Sequence, residues 1–126
     1  MSDMIASAAG SLAMMTSVLV SPSGAVEYEA AHGTVQQHYY RWQKGEKTST
    51  NPTALILAWT GALSKRAELG GQSELASFAN RLETAVIRAI ENGEQTGDLA
   101  QLSDPKPSRI LTAWEFMDAV AARIEF

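Results

Sequence analysis

The chain lacks cysteine altogether and has only two histidines among its 126 residues. The first absence excludes disulfides, thiolate zinc sites and cysteine nucleophiles. The two histidines, His32 and His38, belong to no Ser-His-Asp arrangement that would suggest acyl transfer. Neither a G-x-G-x-x-G nor a Walker motif is present, so a bound nucleotide would need another kind of cradle.

Positive charge is also scarce. Ten Lys and Arg face fourteen Asp and Glu, which gives a formal net charge of −4 and a pI of about 5.1. A general nucleic-acid binder would show a basic face, so this balance argues against nucleic acid as a partner. A small phosphate-bearing ligand stays possible, because a small anion responds to local donors rather than to net charge.

Long apolar runs are missing as well. The start is apolar, but Asp3 stands where a signal peptide would be positive, and no Lys or Arg precedes Arg41. The run from Leu12 to Val20 is broken by Thr16 and Ser17 and is too short to span a bilayer. We therefore expect a soluble cytoplasmic protein with no membrane partner.

What is present is a 45% hydrophobic chain of a length that suits one domain, residues 1–126. Met14–Val20 predicts a buried strand, closed by the turn Ser21–Gly24. Val26–Ala30 alternates well enough to be its antiparallel hairpin partner. No complete βαβ unit is recognisable, so the pattern predicts a mostly helical domain with a small antiparallel strand pair.

Helix signals dominate the remainder. A short helix is predicted at Ser2–Ala9, and another follows the capping pair Thr34 and Gln37 and ends at Gly45. Three longer helices begin at Asn51-Pro52, near Ser73, and at the capping box of Thr112 and Glu115. They carry apolar residues at helical spacing: Leu55, Trp59 and Leu63; Leu75, Phe78, Leu82, Val86 and Ile90; Phe116, Met117, Val120 and Ile124.

Two polar blocks at helix starts are candidates for chemistry. Glu29–Val35 places a glycine beside a helix start, where free N–H groups favour an anion such as phosphate, although His32 and Thr34 equally suit a plain strand-to-helix turn. Thr48–Pro52 would offer a purine or ribose a polar platform, although Asn51-Pro52 is also what a capped helix needs.

Asp3 is a candidate metal ligand, because hard divalent cations prefer oxygen donors. A single carboxylate does not hold such an ion, so a second one must come from Glu29 or from another segment. The three tryptophans and the Met14-Met15 pair fit core or interface packing better than a cofactor box.

Taken together, these blocks resemble the NADP-dependent isocitrate dehydrogenases of the homodimeric type. The order and spacing match from the first residue to about Ala100, and the match is looser beyond. The resemblance covers roughly the last third of such an enzyme. The matching strings are Ser2-Asp3-Met4, GSLAMMTSVLV (Gly10–Val20), EYEAAHGTV (Glu27–Val35), HYY (His38–Tyr40), KGEKTSTNP (Lys44–Pro52), AWTGAL (Ala58–Leu63) and the region Thr96–Ala100.

The resemblance implies an α/β fragment of the isocitrate/isopropylmalate dehydrogenase-like fold that oxidises isocitrate to 2-oxoglutarate with NADP. The complete enzyme would use Mg²⁺ or Mn²⁺, with Asp3 matching one of the metal aspartates. The implied NADP-binding residues are Leu12, His32, Gly33, Thr34, Val35, Gln37, His38, Asn51 and Asp98.

The implied enzyme is incomplete here. The family's YDGD string, its isocitrate-binding arginines and serine, and its proton-transfer tyrosine and lysine have no counterpart in these residues, so no catalytic residue is assigned and we expect the chain alone to be inactive. A homo-oligomer or a missing N-terminal half is the expected partner. A stand-alone, non-catalytic nucleotide-binding or oligomerisation module derived from the family is the alternative, and a split enzyme is a further version.

Two departures concern the cofactor. The family's HGTV is usually followed by a residue, an arginine and a histidine, whereas this chain has Gln36-Gln37-His38. Position 97 is glycine where the family commonly has lysine. Both changes remove positive charge from the implied 2′-phosphate pocket, so either the affinity for NADP is weakened or the cofactor preference has shifted.

Overall fold

The computed structural model describes residues 13–31 and 36–124. It opens with an antiparallel hairpin of β1 (Thr16–Val20) and β2 (Val26–Ala30), in which Val20 pairs with Val26 and Thr16 with Ala30. Both strands match the sequence prediction closely. The predicted helix Ser2–Ala9 lies outside the described residues.

Five helices lie within the described ranges. The short helix α1 (Gln36–Gln43) is followed by α2 (Thr53–Gly70) and α3 (Ser73–Glu91), which pack against each other across a tight turn. After these come α4 (Gly97–Leu102) and α5 (Ala113–Ala121). None of the described helices combines the length and the apolar character needed to cross a membrane.

A short parallel strand pair was not anticipated. The strands β3 (Glu94–Thr96) and β4 (Arg109–Leu111) pair in parallel and are connected through α4. The expectation that the chain holds no βαβ unit is therefore wrong in the strict sense. Each strand has three residues, too few for a period-two pattern to be visible in the sequence.

The core lies where α3, α5 and β4 meet. Its largest buried members are Phe116, Val86, Leu111 and Val120, and Ile56 and Leu57 of α2 pack against it. Part of each predicted stripe points to this side: Leu82, Val86 and Ile90 of α3, and Phe116, Val120 and Ile124 at α5 and its C-terminal end. The capping box that starts α5 is present as predicted, since Thr112 and Glu115 each accept a hydrogen bond from the other's backbone N–H.

The face of α2 that is buried differs from its apolar stripe. The helix buries Thr53, Ala54, Ala58, Thr60 and Ala67, while Leu55 and Trp59 are more than half exposed. Small side chains allow the hairpin and α3 to approach α2 closely, and that closeness excludes the larger residues from the same face.

The prediction of β1 as a buried strand is also wrong for this chain. Val18, Leu19 and Val20 are all about half exposed or more, because α2 packs mainly against β2 and leaves much of β1 uncovered. The tryptophans Trp42, Trp59 and Trp114 are exposed too, which excludes the core role suggested for them and leaves interface packing as the alternative.

Candidate functional site

A cleft with a volume of about 620 Å³ lies among the described residues. It opens at the carboxyl ends of β3 and β4, where ligands of α/β proteins commonly bind. Segments far apart in the sequence form its walls: Ala13, His38, Arg41, Ser49, Thr50, Asn51, Gly97, Asp98, Gln101, Ile110, Leu111 and Thr112. A cleft of this size and mixed polarity suits a small organic ligand.

The side chain of Asn51 ties three segments together at the cleft wall. Its amide nitrogen donates to the Ala13 carbonyl at 3.0 Å and to Asp98 Oδ2 at 2.9 Å. Its Oδ1 accepts from the Thr53 N–H at 2.9 Å, which is the predicted cap of α2. Pro52 is already helical and its carbonyl accepts from Ile56, so Asn51 acts as the true N-cap.

Both amide protons of Asn51 are therefore committed to structure. The residue's backbone N–H and C=O, by contrast, make no hydrogen bond with another described residue. A ligand at this wall would meet the backbone of Asn51 rather than its amide.

Asp98 is held from two directions. Its Oδ2 accepts from Asn51, and its Oδ1 accepts from the Thr96 hydroxyl at 2.6 Å. Because Thr96 is fully buried at the end of β3, it fixes the carboxylate at the start of α4. The carboxylate is thus oriented before any ligand binds, which avoids an entropic cost on binding.

The loop before α2 is anchored to the far end of the chain. Ser49 Oγ accepts from the Ala113 N–H at 2.8 Å, at the first turn of α5. The polar block Thr48–Pro52 therefore has two roles. Its side chains make hydrogen bonds that hold the fold together, and Ser49, Thr50 and Asn51 line the cleft.

Helix α1 also lines the cleft through His38 and Arg41, which lie three residues apart and share a face. His38 Nδ1 is buried and has no hydrogen-bond partner among the described residues. Arg41 was not singled out in the sequence, although its helical spacing from His38 was a signal that placed it on the same side.

The structure thus brings together three of the predicted cofactor-binding residues, His38, Asn51 and Asp98. Gly97 also lines the cleft, whereas Gln37 is exposed on α1 and does not. The capping pair of Thr34 and Gln37 is not described, because Thr34 is outside the structure's ranges. The other predicted residues, Asp3, Leu12, His32, Gly33, Thr34 and Val35, lie outside the described residues.

A metal site cannot be assembled from the described residues by themselves. Within residues 13–31 and 36–124, no three Asp, Glu, His or Cys side chains come close enough to hold an ion. Asp3, the predicted ligand, lies outside these ranges, and Glu29 of β2 would supply only one carboxylate.

Comparison with known proteins agrees with the resemblance. The chain is 49% identical to the isocitrate dehydrogenase (NADP) 1 of Mycobacterium tuberculosis over 125 residues, which are 98% of this chain and 30% of that protein. It is 47% identical over 127 residues to the mitochondrial NADP isocitrate dehydrogenase of Saccharomyces cerevisiae, again covering 98% of this chain and 30% of the relative. The chain therefore spans about 30% of the length of these curated relatives. The model of the isocitrate/isopropylmalate dehydrogenase family matches residues 1–120, and the chain belongs to that family.

Proposed function

We propose that this chain supplies the adenosine side of the NADP site of an isocitrate dehydrogenase. The observation that carries the proposal is the convergence of His38, Asn51 and Asp98 on one cleft at the ends of the parallel strands. These residues were assigned to the cofactor from the resemblance alone, and they are far apart in the sequence. The names of the relatives, which are NADP enzymes, support the same cofactor.

Each residue would have a distinct role. The unpaired backbone groups of Asn51 match the donor and acceptor edge of an adenine, while its side chain holds the wall in shape. Asp98 fixes Asn51, and His38 offers an imidazole edge or face to the nucleotide. By resemblance, Leu12 and the loop His32–Val35 would complete the cradle.

In a complete enzyme, NADP⁺ would accept the hydride from isocitrate, and Mg²⁺ or Mn²⁺ would assist the decarboxylation, with Asp3 as one proposed ligand. This chain would position the nucleotide and leave the substrate to other residues. We expect it to have no turnover alone, because the substrate-binding and proton-transfer residues that the resemblance requires are missing from its sequence.

Calorimetric titration of the chain with adenosine 2′,5′-bisphosphate and with adenosine 5′-monophosphate tests the proposal. We expect the bisphosphate to bind more tightly. The informative variant is Gly97→Lys, which restores the family's usual cation. A Cβ at Gly97 would meet only Ile110 Cγ2, at 3.9 Å, so the cleft accommodates a side chain there.

Gly97→Lys should tighten bisphosphate binding by roughly two- to fivefold, the range of an exposed charge interaction. Gly97→Gln, of similar length but neutral, should leave the preference unchanged and serves as the control. Failure of the unmodified chain to bind either nucleotide, or equal effects of the two substitutions, would contradict the proposal.

A second candidate, association with itself or another chain, is favoured by one observation. Trp59 and Trp114 are 60% and 77% exposed, and the cleft between α2, α3 and α5 is lined by apolar side chains such as Ile56, Leu82 and Met117. Exposed apolar surface of this kind marks contact sites in soluble proteins. This role is compatible with the first, since a homo-oligomer or an N-terminal half is the partner expected of the family.

A further inference from the structure

The described walls of the cleft contain a single Lys or Arg, Arg41. The family pattern places its arginine at position 37, where this chain has glutamine, and Gln37 does not line the cleft. Positions 37 and 41 are one helical turn apart on α1, so Arg41 lies about 6 Å along the helix axis from position 37. Arg41 therefore supplies positive charge to the cleft.

The turn after α1 holds Arg41 in place. Its carbonyl accepts from the Glu46 N–H at 3.1 Å, and its Nε donates to Glu46 Oε2 at 2.7 Å. Gly45 makes this possible because its φ of +79° turns the chain back toward Arg41, a conformation that costs other residues about 1 kcal/mol or more. Glu46 is thereby placed to orient the guanidinium.

The hydrogen bond to Glu46 uses only Nε. The two terminal nitrogens of Arg41 make no hydrogen bond with another described residue, and together they form the planar pair of donors that fits a phosphate. The side chain is about half exposed, so its ion pair with Glu46 is weak and does not bar a dianion from approaching.

We propose that Arg41 is the specificity-determining residue of this cleft and binds the 2′-phosphate of an adenosine nucleotide, in place of an arginine at position 37. The inference rests on the proposed nucleotide site. It resolves the apparent loss of charge at position 37 without requiring a shift of cofactor preference.

The test compares Arg41→Gln with Arg66→Gln by calorimetric titration of the chain with adenosine 2′,5′-bisphosphate and adenosine 5′-monophosphate. Arg66 is exposed on α2, makes no ion pair with another described residue, and provides the same change of net charge outside the cleft. Arg41→Gln should weaken bisphosphate binding about tenfold, the scale of a charged hydrogen bond, and change monophosphate binding less than about twofold. Arg66→Gln should change neither. Near-ultraviolet circular dichroism, sensitive to the neighbouring Trp42, checks that each variant is folded.

Arg41→Lys should keep part of the preference, because an ammonium retains the charge but not the paired donors. Retained preference in Arg41→Gln, or an equal loss for both nucleotides, would overturn the assignment while leaving the nucleotide site itself standing. If Arg41→Gln leaves the nucleotide preference unchanged while Gln37→Arg increases it, the role returns to position 37. If the unmodified chain binds neither nucleotide, the proposed function fails together with this inference.

Discussion

At the scale of single residues, the most informative side chain is Asn51. The sequence identifies it as a helix cap, and the resemblance identifies it as a nucleotide contact. The structure shows the cap and adds two bonds that no local pattern contains, to Ala13 and to Asp98. Local geometry determines the cap, whereas the other two bonds depend on segments that only the fold brings together.

The pH dependence of stability can be argued at one residue, Glu115. Hydrogen bonds from the Thr112 backbone N–H and then from its hydroxyl lower the pKa of the Glu115 carboxyl below its ordinary value of 4.5, and Arg109 contributes further. A carboxyl whose pKa is lower in the folded state stabilises the fold above the unfolded pKa. That stabilisation is lost as the pH falls through the folded-state pKa.

We therefore expect Glu115→Gln to lower the free energy of unfolding at pH 7, and this effect to diminish as the pH falls through the folded-state pKa of Glu115. The glutamine can still cap α5 but carries no charge at any pH. Urea denaturation at a series of pH values measures the difference. Asp118→Asn, an exposed carboxylate on the same helix outside the capping box, is the control. A Glu115→Gln effect that does not diminish as the carboxyl becomes protonated would refute the assignment.

At the scale of elements, small side chains on α2 determine how closely the hairpin packs against this helix. A Cβ at Gly61 would lie 2.8 Å from two ring carbons of Tyr28 on β2, so the ring packs directly on the glycine. The buried alanines Ala54, Ala58 and Ala67 on the same helix permit similar closeness to its neighbours. The apolar periodicity of α2 did not reveal this close packing. A sequence pattern gives the size and polarity of each side chain, but not which element packs against it.

Gly61→Ala tests the contact. Overpacking costs about 1–3 kcal/mol, while alanine in a helix gains about 1 kcal/mol over glycine, so we expect a net loss of roughly 1 kcal/mol. Truncating the ring in Tyr28→Ala should reverse the sign, so that Gly61→Ala then stabilises by up to about 1 kcal/mol. Chemical denaturation of the four combinations provides the cycle. Stabilisation by Gly61→Ala with Tyr28 intact would show that the contact is not constraining.

At the scale of the whole molecule, the exposed apolar surface is the feature that bears on association. The chain spans about 30% of its relatives, and it exposes apolar side chains on the hairpin and on α2 and α5. Val18 pairs with Tyr28 on the face toward α2, so Leu19 lies on the opposite face of the same strand, and it is 53% exposed. A two-stranded hairpin also has unpaired edges that can template association.

We expect the chain to self-associate through this face of the hairpin. Leu19→Lys should shift sedimentation velocity profiles toward the monomer across a concentration series, because it removes apolar surface and adds charge where α2 is not contacted. Glu27→Gln is the matched control, since Glu27 is the cross-strand partner of Leu19 on the same face and this substitution also raises the net charge by one. It changes the charge without removing apolar area. A chain that is monomeric at every concentration would argue instead for an independently evolved module.

The sequence by itself determined the features that depend on near neighbours. It set the bounds of the hairpin partner Val26–Ala30, the capping box of α5 and the glycines that end α1 and α2, because turn geometry and capping involve residues a few positions apart. It also identified the family, through the strings HGTV (His32–Val35) and TSTNP (Thr48–Pro52). Only the tertiary structure decided the rest: the parallel pairing of β3 with β4, the buried face of α2, and the place of Arg41 rather than Gln37 on the cleft wall. These depend on contacts between distant segments, whose geometry a one-dimensional pattern does not contain.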